Sequence, residues 1–378
     1  MAGGAGGTFC LFLIFCDSDN PKKQPAPSFS QVQAAFPHRK TPMTHPLLPF
    51  SLPHTPLALA PMAGITDNPT RRTARQWGAD WTVSEMLSSD PGLQHTQKSR
   101  NRRNHEGEDG VIVVQIAGSD PEQMAHAARH NAEHGAQIID INMGCPVKKV
   151  CNVLAGSALL QNEPLVERIL HAVVRNAGVP VTLKTRLGWD DEHRNILTIA
   201  KMAEQAGIAA LAIHGRTRTQ MYQGNAEYDL IAQVKHTVSL PVWVNGDIDS
   251  PQKAARVLQQ TQADGVMVGR AAQGQPWIFR DIAQFLQHGR IPEAPVFDEA
   301  ADTVLAHIAA LHRFYGDTAG TRIARKHIAW YLRRLADGES CRKHINQIGN
   351  AAEQYDTLAQ FLQRQKALYT HWPRDYAS

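Results

Sequence analysis

From Leu57 onward the chain alternates short, unbroken apolar runs with stretches whose apolar positions recur every three or four residues. The runs are Leu57–Ala63, Trp81–Glu85, Val111–Ala117, Ile138–Asn142, Val181–Arg186, Ala210–His214, Val242–Asn245 and Gly265–Gly269. Several are rich in Val, Ile and Leu without in–out alternation, as strands are when both faces of a parallel sheet are covered. The stretches between them read as helices: Val166, Ile169, Leu170 and Val173 fall on one face, Ala254, Val257, Leu258 and Thr261 on another. Asn68-Pro69, Asp120-Pro121 and Ser250-Pro251 each have the form of an N-cap followed by proline at the first helical position. Gly78, Gly135 and Gly207 sit where helices should end. Eight strands with helices between them, in about 230 residues, predict a (β/α)₈ TIM barrel rather than a doubly wound sheet. The second strand lacks a legible helix, because Ser88-Ser89-Asp90-Pro91-Gly92 reads as loop.

Strand signals stop near residue 291. Val304, Ile308 and Leu311 then keep helical spacing up to Gly316. Over Thr321–Ala336 a helical wheel gathers Ala324, Ile328, Tyr331, Leu332 and Leu335 on one side and Arg322, Lys326 and Arg333 on the other. Trp330 flanks the basic side and is expected to dock on the barrel. Two further helical segments follow, the first opening on Arg342-Lys343-His344. The pattern predicts a barrel over 46–291, a small all-α helical bundle over 292–366 and a tail over 367–378.

The first 45 residues are rich in Gly, Pro, Ser and Gln, with one apolar run, Phe9–Cys16, too short to span a bilayer. They predict a disordered extension that a chain starting at Met43 could do without. A net charge of +4 is too mild to demand an anionic partner by itself. The five cysteines have neither a disulfide rhythm nor zinc spacing, so no metal is expected and a reducing cytoplasm is the default.

Chemistry collects at the strand ends, where barrels carry their sites. Pro61-Met62-Ala63-Gly64 follow the first strand, and Gln115 lies near the end of the third. The fourth gives Asn142 and Cys145, the fifth Lys184 and Arg186, the sixth His214 and Arg216. Asn245-Gly246-Asp247 end the seventh and Gly269-Arg270 the eighth. Taken alone, a cysteine is a small buried hydrophobe. Here Gly144 and Pro146 end its strand and put Cys145 on a loop at the barrel mouth. A lysine within an apolar strand, as Lys184 is, is costly unless a negative group meets it. Gly246 and Gly269 permit close backbone approach, and each precedes an expected helix whose N-terminal amides could hold a phosphate. With no G-x-G-x-x-G fingerprint, a phosphorylated cofactor such as FMN fits better than a Rossmann-bound dinucleotide.

These residues resemble the tRNA-dihydrouridine synthases. The resemblance is carried by Ala60–Asp67, by Asp140–Pro146 with Lys148-Lys149-Val150, by Ala155–Leu160, His214–Arg218, Asn245–Ile248 and Val268–Ala272, in order over about residues 50–365. Val83–Met86 and Arg322–His327 look most like the bacterial B branch. The resemblance implies an FMN barrel with a tRNA-gripping helical domain. Reduced flavin passes hydride to C6 of a uridine, a cysteine protonates C5, and NADPH (or NADH) regenerates the flavin. Carried over by position, Pro61, Met62, Ala63, Gln115, Lys184, Asn245, Gly246, Asp247, Gly269 and Arg270 would hold FMN, with His214 beside flavin and base. Asn142 would position the uracil and Cys145 would be the acid. Val153 departs from the family, which often has Lys or Arg there. Within the D-loop the B branch implies position 17. The tRNA body needs a cationic surface, for which Lys148, Lys149, Arg216 and Arg218 at the rim and Arg322, Lys326 and Arg333 on the helical domain are the candidates. A monomer is expected. Two rival readings are an FMN barrel reducing a free pyrimidine, which needs no basic domain, and an RNA-binding protein without catalysis, which needs no Cys145, Lys184 or His214.

Overall fold

The computed structural model describes residues 55–147 and 155–376. Its strands are β1 (Leu57–Leu59), β2 (Trp81–Thr82), β3 (Leu87–Ser88), β4 (Val113–Ala117), β5 (Ile138–Met143), β6 (Val181–Arg186), β7 (Ala210–His214), β8 (Val242–Asn245) and β9 (Gly265–Val268). All pairs are parallel, in the order β2-β1-β9-β8-β7-β6-β5-β4-β3. A parallel bridge between Val83 and Val113 closes the remaining gap, so β2 and β3 are two pieces of one barrel strand. The expected Trp81–Glu85 strand is therefore broken. Ser84 still donates to the Val113 carbonyl at 3.0 Å, but its hydroxyl takes the Gln115 amide at 3.0 Å, and the chain leaves the ladder until Leu87.

The helices outside the barrel are α1 (Asn68–Gln76), α2 (Gln97–Arg103), α3 (Pro121–Glu133), α4 (Glu163–Ala177), α5 (Ile196–Ala206), α6 (Asp229–Thr237), α7 (Pro251–Thr261) and α8 (Ile278–His288). The helix that the sequence hides after the second strand is α2. It buries only Ser99 and so leaves no apolar periodicity; Thr96 caps it instead, accepting from Ser99 N. The first helix starts one residue early, because the buried Asp67 carboxylate, not Asn68, caps Thr70 N at 3.1 Å. After β9 the chain makes a single 3₁₀ turn, Arg270–Ala272, rather than the expected helix; Gly274 and Pro276 delay the next α-helix to Ile278.

Strand parity decides what the barrel holds. Side chains alternate across a strand, so Ala58, Trp81, Val83, Val113, Ile138, Ala212, Trp243 and Met267 form one interior cluster. Trp81 and Trp243 meet edge to face at 4.4 Å and plug it. A Cβ on Gly265 would lie 2.4 Å from the Trp243 ring, so only glycine leaves room. The same parity turns Gln115, Asp140, Asn142, Thr182, Lys184, Arg186, His214 and Asn245 inward. The opposite parity packs Ile139, Ile141, Leu183, Leu211, Ile213, Val244 and Val266 against the surrounding helices.

Beyond the barrel lie α9 (Phe297–Tyr315), α10 (Asp317–Leu332), α11 (Gly338–Ile345) and α12 (Ala351–Gln365). Ala324, Ile328, Tyr331, Leu332 and Leu335 are buried, as their spacing predicts, although α10 runs from Asp317 to Leu332 rather than to Ala336. A Cβ on Gly338 would strike the Leu332 carbonyl, which shows how closely the turn after α10 packs. The segment expected as a tail folds back. Phe297 N donates to Thr370 O and Trp372 N to Pro295 O, both at 2.9 Å, and Arg374 and Tyr376 hold Asp281 at 2.8 and 2.7 Å. Trp372 packs against Trp277 and Phe297, and Trp277 against Trp77 just after α1, so the helical bundle and the barrel share one apolar joint. Among the described residues no helix is long and apolar enough to cross a membrane.

Candidate active site

At the end of β5 the backbone leaves the sheet and is caught by its own strand. The Asn142 side-chain oxygen accepts the Gly144 amide at 3.2 Å and the Cys145 amide at 3.0 Å. Ser157 donates from its amide and hydroxyl to the Cys145 carbonyl, at 3.1 and 2.8 Å, and Arg186 Nε to the Gly144 carbonyl at 2.7 Å. The loop is thus held from three sides, and Cys145 stands half-buried at the mouth. Below it, Asn142 Nδ2 donates to Gln115 Oε1 at 2.7 Å, and Gln115 Nε2 to Asp140 Oδ2 at 2.6 Å.

Beside this loop the interior is cationic. Lys184 is buried and donates to Asn245 Oδ1 at 3.2 Å, while Asn245 Nδ2 is anchored on the Met267 carbonyl at 2.8 Å. Burial, and then Arg186, lower the Lys184 pKa to about 8, with Asp140 and Cys145 pulling the other way. Burial and four cations, Arg186, Lys184, Arg216 and Arg270, drive His214 well below the ordinary histidine range, so it is neutral at pH 7. Arg216 Nη1 lies 3.3 Å from His214 Nε2; a guanidinium can only donate, so Nε2 accepts and Nδ1 carries the proton. Asp247 offsets part of this charge through Arg216, at 2.5 and 2.9 Å, and Arg270, at 3.2 Å, which hold its carboxyl below its ordinary range against burial.

The donor set fits a phosphate-bearing, electron-rich ligand such as FMN. Lys184, Arg186 and Arg216 are buried side by side around His214, a concentration of positive charge that an anionic ligand would offset. Gly246 has φ +121°, and a Cβ there would lie 2.8 Å from Ala226 Cβ and 3.0 Å from the His214 ring, so glycine lets that ring pack against the turn. Pro61, Met62 and Ala63 lie partly exposed at the same mouth, as do Gly269 and Arg270. Among the described residues no group of His, Cys, Asp or Glu is arranged to hold a metal ion.

The expected rim of RNA-binding cations is revised. Arg216 is 1% exposed, spent on Asp247 and on the carbonyls of Gln223 and Gly224, and so braces the site from within. Arg218 is half-buried over the Trp189 ring at 4.5 Å. On α10 and just after it, Arg322 and Arg333 are exposed and Lys326 half-buried; Arg333 pairs with Asp375 at 2.8 Å and Lys326 donates to the Gly64 carbonyl. They lie on the side away from the buried Ala324, Ile328 and Tyr331, as the wheel predicts, but the wheel cannot foresee Asp375 folding back or the first barrel loop reaching α10. Trp330 is half-buried, and its backbone packs closely on the barrel at Gly274, where a Cβ would lie 2.4 Å from the Trp330 carbonyl. Lys148, Lys149 and Val153 lie outside the described residues. Missed altogether were Asp140, the exposed cations Lys98 and Arg100 of the hidden α2, and Tyr222. Tyr222 is 53% exposed with the Arg186 and Arg270 guanidinium groups 5.6 and 5.0 Å from its ring centre. An aromatic beside the basic run His214–Arg218 was the one signal available for it.

The fold defines a barrel protein with a polar, cation-rich cluster at the C-terminal ends of its strands. Residues 58–367 match the model of the dihydrouridine synthase (Dus) family, and the chain belongs to that family. It is 55% identical to tRNA-dihydrouridine synthase B of Pseudomonas aeruginosa over 314 residues, 83% of this chain and 94% of that one. Against the protein of the same name from Vibrio cholerae the identity is 56%, over 80% of this chain and 94% of the relative. Against that from Xanthomonas axonopodis pv. citri it is 57%, over 76% and 87%. Among solved structures, the old yellow enzyme homologue from Zymomonas mobilis aligns at a TM-score of 0.44 and 13% identity, over 65% of this chain and 92% of that one, too loosely to bear on the site.

Proposed function

We propose that this chain reduces the C5=C6 bond of a uridine in the D-loop of tRNA to 5,6-dihydrouridine, with FMN as resident cofactor and NADPH (or NADH) as reductant. The observation that carries this reading is the meeting of the Asn142–Cys145 loop with buried Lys184, Arg186 and His214 at one mouth. Gln115, Lys184 and Asn245 hold the cofactor from the barrel interior, with His214, the Gly246-Asp247 turn, Gly269-Arg270 and Pro61–Ala63 around it. When bound and reduced, FMN supplies the hydride for uridine C6.

What remains is a proton for C5, and Cys145 donates it. The thiol S–H is the proton source that the loop brings to the mouth. Covalent attack is not required. The Asn142 oxygen is spent on the loop amides and one of its amide hydrogens on Gln115, which leaves one hydrogen for a uracil carbonyl. The extruded base has the exposed Tyr222 ring to lie against. Arg322, Lys98 and Arg100 offer exposed charge for the phosphates outside the pocket. Acting on tRNA, the protein works in the cytoplasm.

The test is to incubate purified protein, expected to be yellow with about one FMN per chain, with NADPH and either unmodified tRNA or free uracil, and to map dihydrouridine. Dihydrouridine in the D-loop, missing from a strain lacking the gene, is the expected result. Turnover of free uracil but not tRNA would install the free-pyrimidine reading instead, and a colourless protein that binds tRNA would install the non-catalytic one.

A further inference from the structure

The hydrogen bonds beneath Cys145 run in one direction, and that direction has a source. Asp140 lies in the barrel interior, 4% exposed, two residues below Asn142 on the same face of β5. Thr182 Oγ1 donates to its Oδ1 and Gln115 Nε2 to its Oδ2, both at 2.6 Å. The chain of contacts continues from Gln115 Oε1 to Asn142 Nδ2, and from Asn142 Oδ1 to the Gly144 and Cys145 amides. A side-chain amide can sit either way round, but the two ends of this chain cannot: backbone N–H groups only donate and a carboxylate oxygen accepts. One orientation of Gln115 and one of Asn142 satisfy both ends together. Even with a proton on Oδ1, toward Thr182, Asp140 presents Oδ2 as an acceptor.

We infer that Asp140 is a positioning residue for the loop that carries Cys145: it orients Gln115, which orients Asn142, which holds the Gly144 and Cys145 amides. That the loop delivers a proton to uridine rests on the proposed function; the orientation does not. Asp140→Leu tests it, because it removes the acceptor and leaves Gln115 free to sit either way round, so that Asn142 is no longer held with its oxygen toward the loop. Asp140→Asn is the conservative control: its oxygen can still face Gln115 while its NH₂ donates to the Thr182 hydroxyl, which accepts as well as donates. A further variant, Asp140→Leu with Gln115→Glu, moves the carboxylate one place along the chain without changing the charge. One of its oxygens accepts from the Asn142 NH₂, and the Asn142 oxygen turns back to the loop.

Amide hydrogen exchange at Gly144 and Cys145 reads the loop directly, on flavin-loaded protein with no tRNA present. We expect exchange at least about tenfold faster in Asp140→Leu, with the β4–β6 strand amides unchanged, protection kept in Asp140→Asn and restored in the double variant. Reoxidation of reduced flavin by tRNA should fall about a hundredfold in Asp140→Leu, the cost of a misplaced reacting group. A purely structural Asp140 makes the double variant worse than the single one. The inference is overturned if both amides stay protected in Asp140→Leu, or if the folded double variant leaves them unprotected. If Asp140→Leu does not fold, protection in the double variant decides. Should the unaltered protein reduce no uridine while the exchange results hold, the proposed function falls and the role of Asp140 stands.

Discussion

At Lys184 folding and ligand binding make opposite demands, so one substitution should move two measurements in opposite directions. Lys184→Met keeps an unbranched side chain and removes the ammonium. With its pKa at about 8 against an ordinary 10.5, the lysine is carried protonated in the folded protein at pH 7 at a cost of roughly 3 kcal/mol at most. That figure already includes the attraction of Asp140, so flavin-free Lys184→Met should be about 1–3 kcal/mol more stable at pH 7. The sign with pH follows from proton binding. Between about pH 8 and 10.5 the unfolded chain holds more protons than the folded one, so wild-type stability rises through that window and the advantage of the variant disappears by its top. Flavin moves the other way. Loss of a charge-assisted hydrogen bond worth about 1.5–3 kcal/mol should weaken FMN binding roughly 10–150-fold. Wild-type affinity should decline above about pH 8 while that of the variant stays flat. Urea titrations of flavin-free protein at pH 7, 9 and 10.5, with fluorescence titrations of FMN at the same values, read both effects. A variant less stable at pH 7, or one with undiminished FMN affinity, refutes the reasoning.

Three further outcomes are expected. Cys145→Ala should accept hydride from NADPH normally, while flavin reoxidation by tRNA in stopped flow falls roughly 10²–10⁴-fold; an unchanged rate returns Cys145 to packing. Arg322→Ala should reduce the slope of log affinity for tRNA against log salt by about 1, whereas Arg333→Ala, whose guanidinium already faces Asp375, should leave it unchanged. Burial raises Asp67 to about 6 from 3.8, so its charged form costs the fold up to about 3 kcal/mol, a penalty that sets in as pH rises from about 4 to 6. Asp67→Asn, still able to cap α1, should therefore melt higher than wild type at pH 8 and no differently near pH 4.

The barrel was legible because its signals are local. Val181–Arg186, Ala210–His214 and Val242–Asn245 are apolar runs that end where the polar residues begin, and the strands end there too. The inward-facing residues Gln115, Asn142, Lys184, His214 and Asn245 were legible for the same reason, since strand ends mark themselves. What escaped depends on partners far along the chain. The break in the second strand turns on the Ser84 hydroxyl meeting Gln115, and α2 survives on a cap rather than an apolar stripe. Arg216 looks like a rim cation until Asp247, 31 residues later, claims it inside the barrel. Asp140 looks like the polar start of a motif; its role lies in the direction of hydrogen bonds across three strands, which no spacing encodes.

The joint of Trp77, Trp277, Phe297 and Trp372 has a consequence for how the molecule is made. Trp277 and Trp372 are 0% exposed and Phe297 2%, so each face of the joint exists only when the others are present. On the ribosome Trp77 emerges roughly 300 residues before Trp372. Through that interval the nascent barrel carries an uncovered aromatic seam, an invitation to chaperones or to sticking between chains. Nicking the finished protein near residue 292 should not release a working barrel, because the cut pieces would remain clasped, and separating them would expose the seam again.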